Sequence, residues 1–217
     1  IIQSIFEDLY YGFYSYEADD VVIVKNTYRD NVVYGIDPHD RSRRLIIAEN
    51  DVFNTHQKHG IIISREVNDS FIFNNRCYRN KLSGIVLDRQ SERNIIAGNW
   101  SSENGGDGIT LYESPNNLLW ANITMANKRY GIRVRNSLDI KLYQNVVLLN
   151  RMYGVYGHIK DLSQTSRDFI LDPYISAVSM TVVGGSLAAN SRGPLSVDQP
   201  VSLQMYNVDF ITPLLEN

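Results

Sequence analysis

The residues best suited to chemistry lie in the segment Tyr34-Gly35-Ile36-Asp37-Pro38-His39-Asp40. In an extended strand successive side chains alternate between faces, so Asp37 and His39 point to the same side, about 6.6 Å apart. Pro38 between them removes a ladder donor. An imidazole near its ordinary pKa of about 6.5 is neutral enough near pH 7 to accept a proton. A carboxylate beside it and a guanidinium in reach make a constellation for acid–base work on an anionic substrate, because arginine can grip a carboxylate bidentately. Arg65, in Gly60-Ile61-Ile62-Ile63-Ser64-Arg65, is the candidate guanidinium, and Asp88-Arg89 recurs one interval later.

A repeat is what brings these separated segments together. Glycines fall at Gly12, Gly35, Gly60, Gly84, Gly108, Gly131 and Gly154, at intervals of 23, 25, 24, 24, 23 and 23. Asn26, Asn50, Asn75, Asn99, Asn122 and Asn145 keep the same beat, as do Asn31, Asn54, Asn80, Asn104, Asn127 and Asn150. Aliphatic residues recur three positions before the first asparagine column (Ile23, Ile47, Ile72, Ile96, Leu119, Leu142) and one after each glycine from Gly35. Short alternating runs punctuated by Asn and Gly are strands and turns, not helices. A period near 23 predicts an all-β chain folded as a right-handed parallel β-helix of the pectin-lyase-like kind, whose coils bury their inner faces only by stacking. Aliphatic columns then fill the interior, asparagine columns form amide ladders at bends, and glycines serve backbone geometry there. Cys77 reads as a small interior residue.

Residues 1–162 are expected to form the regular coils that carry the groove. Residues 163–217, less regular and containing Pro173, are expected to close the same stack. The turn from Thr55 to His59 departs from the beat and should bulge. Gly12-Phe13-Tyr14 already fits the repeat, so the N-terminal end reads as cut through a longer solenoid.

In the strand after each glycine, positions two and four should face outward. Those columns, with the next residue along, are dense in carboxylates, arginines, tyrosines and histidines. A polar ladder along a rod suits an extended polymer. His59 and Tyr34 both precede a glycine and should be neighbours near Asp37, His39, Asp40, Arg65, Asp88 and Arg89. Tyr112, Arg133 and Arg135 continue the same face. His158 lies five coils from His39, roughly 24 Å, so the two cannot share a reaction centre. The alternative reading of this face is a solvated surface of salt bridges between coils.

Composition narrows the partners. The 217 residues carry 21 Lys+Arg and 24 Asp+Glu, a net charge of −3, and 43% are apolar. That excludes disorder and disfavours nucleic acid. No apolar run approaches the roughly 18 residues of a membrane helix. The single cysteine allows no internal disulfide, and no ligand spacing points to a metal. The total hides an uneven distribution: residues 1–30 sum to −4, residues 31–160 to +5 and residues 161–217 to −4. The candidate site lies in the basic middle, where the field can attract a polyanion.

On Tyr34-Gly35-Ile36-Asp37-Pro38-His39-Asp40, Lys58-His59-Gly60 through Asn68, Ser83-Gly84 through Arg89, Tyr153-Gly154 through Leu162, and Val182-Val183-Gly184-Gly185, the chain resembles the mannuronan C5-epimerases of alginate biosynthesis. The Asp-Pro-His-Asp signature stands in register with the other coils, and the likeness is to the periplasmic type rather than the secreted calcium-dependent modules. The resemblance implies C5 epimerisation of β-D-mannuronate to α-L-guluronate within the polymer, with no cofactor. It implies His39 as general base, Arg65 as the group that neutralises the substrate carboxylate, Asp37 as support for His39 or the sugar, and Tyr34 at the same centre. The proton returned to the opposite sugar face could come from Tyr34 or from water. His59, Asp40, Asp88, Arg89, Tyr112, Arg133 and Arg135 would bind the polymannuronate chain. The periplasm and other alginate-export proteins as partners follow from the resemblance alone. Two other functions compete: a polyuronate lyase, which shares the proton abstraction and then expels the 4-O substituent, and a non-catalytic glycan-binding β-helix.

Overall fold

The structure, a computed structural model, describes residues 1–162, 176–198 and 200–211. Among them every regular element is a strand, and all strands pair in parallel into three sheets of eight, eight and nine strands. Sheet 1 begins Tyr11–Tyr16, Tyr34–His39, Ile61–Ser64, Ile85–Asp88, Ile109–Tyr112, Ile132–Arg135 and Tyr153–His158, and ends at Gly193–Val197. Sheet 2 runs from Val22–Val24 to Val201–Tyr206, and sheet 3 from Ile5–Glu7 to Asp209–Ile211. Consecutive strands of the chain lie in different sheets, so each circuit of the three adds one coil. The expected all-β parallel β-helix is what forms.

The period explains the stack. Ile36, Ile61, Ile85, Ile109, Ile132 and Val155 are register partners, coil on coil, and all are at most 1% exposed. Ile23, Ile47, Ile72, Ile96, Leu119 and Leu142 do the same in sheet 2. Each such aliphatic side chain removed from water contributes about 1.5–3 kcal/mol, and none does so without its neighbours above and below. Cys77 is fully buried between Val52 and Ser101 in sheet 3, as its column position required.

The asparagine ladders run as amide chains. Asn75 Nδ2 donates to Asn99 Oδ1 at 3.0 Å, and Asn99 Nδ2 donates to Asn122 Oδ1 at 2.9 Å. Three details differ from the sequence reading. The left-handed residue at these bends is the one before each ladder asparagine, Lys25, Glu49, Asn74, Gly98, Ala121 and Gln144. The second ladder passes through Thr55 rather than Asn54, since the Thr55 amide donates to Asn80 Oδ1 while Asn54 takes the left-handed position. The column glycines are set by space rather than by φ. A Cβ on Gly35 would meet the Val52 side chain and come 2.8 Å from the Gly60 carbonyl of the next coil.

Residues 163–175, including Pro173, lie outside the described residues. The strands Val178–Val183, Ser186–Ala188, Gly193–Val197, Val201–Tyr206 and Asp209–Ile211 rejoin the three sheets in parallel register.

Candidate active site

Sheet 1 builds the site. Its register sets His39 beside Ser64, then Asp88, Tyr112, Arg135 and His158, one per coil. At the end of each strand the chain turns through a left-handed residue: Glu17, Asp40, Arg65, Arg89, Glu113 and Asn136 all have φ between 34 and 63°. This repeated bend hangs a column of charged side chains along one edge of the sheet, and the candidate residues come from it.

Around His39 the predicted residues converge. His39 Nδ1 lies 2.6 Å from Asp40 Oδ2. With a carboxylate acceptor there, Nδ1 carries the proton and Nε2 keeps its lone pair, the form a general base needs. The other Asp40 oxygen, Oδ1, is 3.5 Å from Arg65 Nη1. One carboxylate thus ties the candidate base to the candidate carboxylate clamp. One coil on, Arg89 Nε donates to Asp88 at 2.7 Å and its Nη2 donates to Ser64 Oγ at 2.7 Å. Tyr34 stacks on His59 with ring centroids 6.0 Å apart and planes within 7°. The Ser83 amide donates to His59 Nδ1 at 3.1 Å, and burial, aided by Lys58, pulls His59 down to about 4. His59 is therefore a neutral wall for Tyr34 and not a second base at neutral pH. Burial, then the Asp37 charge, pushes the Tyr34 phenol up to about 12, which keeps it protonated.

Asp37 differs most from its sequence image. Its strand position faces outward, yet it is only 2% exposed, and the register partners Ile62, Val86 and Thr110 are as hidden. Burial raises the Asp37 carboxyl to about 8, against the opposing pull of Arg89, with Asp40 and Asp88 adding to the rise. Its Oδ1 has no hydrogen-bond partner in the protein. A buried carboxyl whose pKa is raised to about 8 and whose Oδ1 has no protein partner can serve as a neutral hydrogen-bond donor near pH 7. The direct partner of His39 is Asp40, which the sequence reading assigned to the sugar.

Tyr112 lies three coils from His39, roughly 14 Å away, and Arg133 and Arg135 lie four coils away, roughly 19 Å. Arg135 makes a bidentate pair with buried Glu113 at 2.8 and 2.9 Å, and its guanidinium sits 3.9 Å from the Tyr112 ring centroid. Arg133 Nε donates to His158 Nε2 at 3.0 Å and Nη1 donates to the Tyr112 hydroxyl at 3.1 Å. Burial and the two arginines hold His158 down at about 4, so it is a neutral acceptor for Arg133. Both arginines are braced by the protein itself. They form a separate, pre-organised section of the groove rather than part of the His39 centre.

Two residues near His39 were not singled out by sequence reasoning. Tyr14 is the register partner of Asp37, and its ring centroid is 5.9 Å from that of His39. Tyr11 stacks on Tyr34 at 5.9 Å. The repeat contained this signal, since both sit one coil before named residues.

Residues 1–147 match the family model described as a right-handed β-helix region. The chain is 61% identical over 216 residues to a mannuronan C5-epimerase of Pseudomonas syringae pv. tomato, covering 100% of this chain and 40% of that protein. A mannuronan C5-epimerase of Pseudomonas aeruginosa is 63% identical over 98% of this chain and 39% of its own length. The crystal structure of the periplasmic alginate epimerase AlgG superposes with a TM-score of 0.94 at 62% identity, over 96% of this chain and 49% of that one. The chain thus spans about two fifths of the length of the curated relatives it matches.

Proposed function

The chain belongs to the right-handed β-helix family, and from that premise we propose that it carries the catalytic groove of a periplasmic mannuronan C5-epimerase. The substrate is alginate, in which β-D-mannuronate units become α-L-guluronate, and other alginate-export proteins are its candidate partners. Support comes from epimerase relatives at 61 and 63% identity and from the matching AlgG structure. The observation that carries the reading is one carboxylate, Asp40, held between His39 and Arg65.

The chemistry follows from that triad. His39 Nε2 takes the C5 proton as the C5–H bond breaks. The electron pair moves into the adjacent carboxylate, forming an enolate-like dianion. Arg65 meets that charge as it develops, an electrostatic contribution of about 3–4 kcal/mol per donor. Protonated Asp37, buried beside the centre, supplies a neutral hydrogen-bond donor to the same anion. A new C5–H bond forms on the opposite face with a proton from Tyr34 or water, the donor regains a proton from solvent, and His39 returns its own proton to solvent. The sugar leaves inverted, with no bond in the polymer cut.

Proton NMR of polymannuronate incubated with the protein tests this. Guluronate signals should grow while absorbance from unsaturated ends stays flat. Rising ultraviolet absorbance without guluronate would establish elimination and overturn the epimerase assignment.

A further inference from the structure

The outer face of sheet 2 is apolar over five consecutive coils. Its first outward column runs Val22, Ile46, Phe71, Ile95 and Leu118 in register. The second runs from Val24 to Trp120 through Ala48, Phe73 and Ala97. Val22, Ile46, Phe71 and Trp120 stand exposed, Phe71 by 48% and Trp120 by 53%. Between the two columns lies the buried one from Ile23 to Leu119, so each strand is apolar on both faces. In parallel sheets, strands that read as continuous apolar runs are those covered on both sides. The equivalent outward column of sheet 3 opens instead with Thr27, Asp51 and Arg76. Past Leu118 the first column of sheet 2 turns polar, at Lys141, Thr181 and Gln204.

The size and chemistry of this strip select its occupant. Five coils span four rises, about 19 Å, and the two columns stand about 6.6 Å apart. With the girth of the side chains the footprint is roughly 250 Å². A stable dimer needs about 800 Å² from each partner, so self-pairing of the strip falls well short. The charges on its borders are spent on one another, Arg44 on Asp20, Arg93 on Asp69 and Lys25 on Glu49. The strip therefore offers no net charge to a polyuronate or an anionic lipid surface. The backbone bonds of its strands lie in the plane of the sheet, so whatever covers the face must satisfy its own backbone groups. An α-helix does so internally, is about 10–12 Å across, and covers 19 Å with about 13 residues.

The geometry points to an amphipathic α-helix of a partner protein, about four turns long, lying along the coil axis with its apolar stripe on Phe71 and Trp120. Helix on sheet is the layer packing that buries an apolar stripe against an apolar sheet face. Because sheet 2 is not the sheet that carries His39, the partner docks without entering the groove and leaves the reacting face open.

Calorimetric titration of the intact protein with a synthetic 18-residue peptide of Leu, Glu and Lys, its leucines forming one helical stripe, tests the site. Binding should be saturable and one to one, and a peptide of the same composition with the stripe scrambled should bind at least tenfold more weakly. Phe71→Glu sets a charge in the middle of the strip and should raise the Kd at least tenfold. Trp120→Gln, an exposed change at its edge, should raise it several-fold and serves as the second variant should Phe71→Glu fail to fold. C5 exchange should be unchanged in both. No binding, equal binding of the two peptides, or an undiminished affinity in the folded variants overturns the proposal. So does a dimer in sedimentation that Phe71→Glu dissociates, which would give the face to a second copy, or binding to phosphatidylcholine vesicles that the same variant abolishes, which would give it to lipid.

Discussion

At the scale of single residues, the proposed mechanism separates the roles of His39, Asp40 and Asp37. His39→Ala should lower C5 exchange by roughly 10²–10⁴-fold, the usual worth of a positioned general base, with the circular dichroism of the fold unchanged. Asp40→Asn keeps the shape and loses the carboxylate that fixes the His39 tautomer. It should cost on the order of 10²-fold in kcat and displace the pH–rate profile. Asp37 makes a prediction about stability. Its folded pKa of about 8 stands well above the roughly 3.9 of an unfolded aspartate. The folded state therefore holds the proton more tightly. That contribution is complete below about pH 4 and is lost as pH rises through 8. Asp37→Asn removes the loss, so its Tm relative to wild type should climb between pH 4 and pH 8 in thermal melts. A constant difference would show that Asp37 ionises freely. That His39 and Arg65 fall close together followed from the repeat, whereas the burial of Asp37 did not, because alternation gives the side a residue faces and not what covers it. The His39–Asp40 contact was not, because Asp40 sits in a left-handed turn where alternation no longer predicts direction.

At the scale of strands and turns, the fold was legible because a solenoid writes each structural requirement as a column. The inner aliphatic columns, the amide ladders and the buried cysteine were all readable from spacing. The Thr55 substitution and the role of the glycines were not, since a one-residue bulge shifts the column locally and close approach leaves no mark beyond the glycine itself. Two variants test these elements. Asn99→Ala strips the acceptor from both the amide and the Nδ2 of Asn75 and removes the bond to the Ile72 carbonyl. Denaturant unfolding should show a loss of about 2–4 kcal/mol. Gly35→Ala forces a methyl group against Val52 and the Gly60 carbonyl, and should cost about 1–3 kcal/mol. Because Gly35 opens the strand that carries His39, C5 exchange should fall with it.

At the scale of the whole molecule, the net charge of −3 conceals a basic middle of +5 between two acidic ends of −4. Many of those charges are already spent in pairs between coils, such as Arg44 with Asp20 and Arg93 with Asp69. The attraction for a polyanion is thus a field effect rather than a set of open contacts. Screening shrinks from a Debye length of about 10 Å at 0.1 M salt to about 3 Å at 1 M. KM for polymannuronate should rise several-fold over that range while kcat changes little, and a salt-independent KM would show that the basic field contributes nothing to binding. The most direct test of the central claim is C5 deuterium incorporation by NMR when polymannuronate is incubated in deuterated water with wild-type protein and with His39→Ala. The account predicts guluronate carrying deuterium at C5 for the wild type and none for the folded variant. Equal incorporation in both, or guluronate without deuterium, would contradict it.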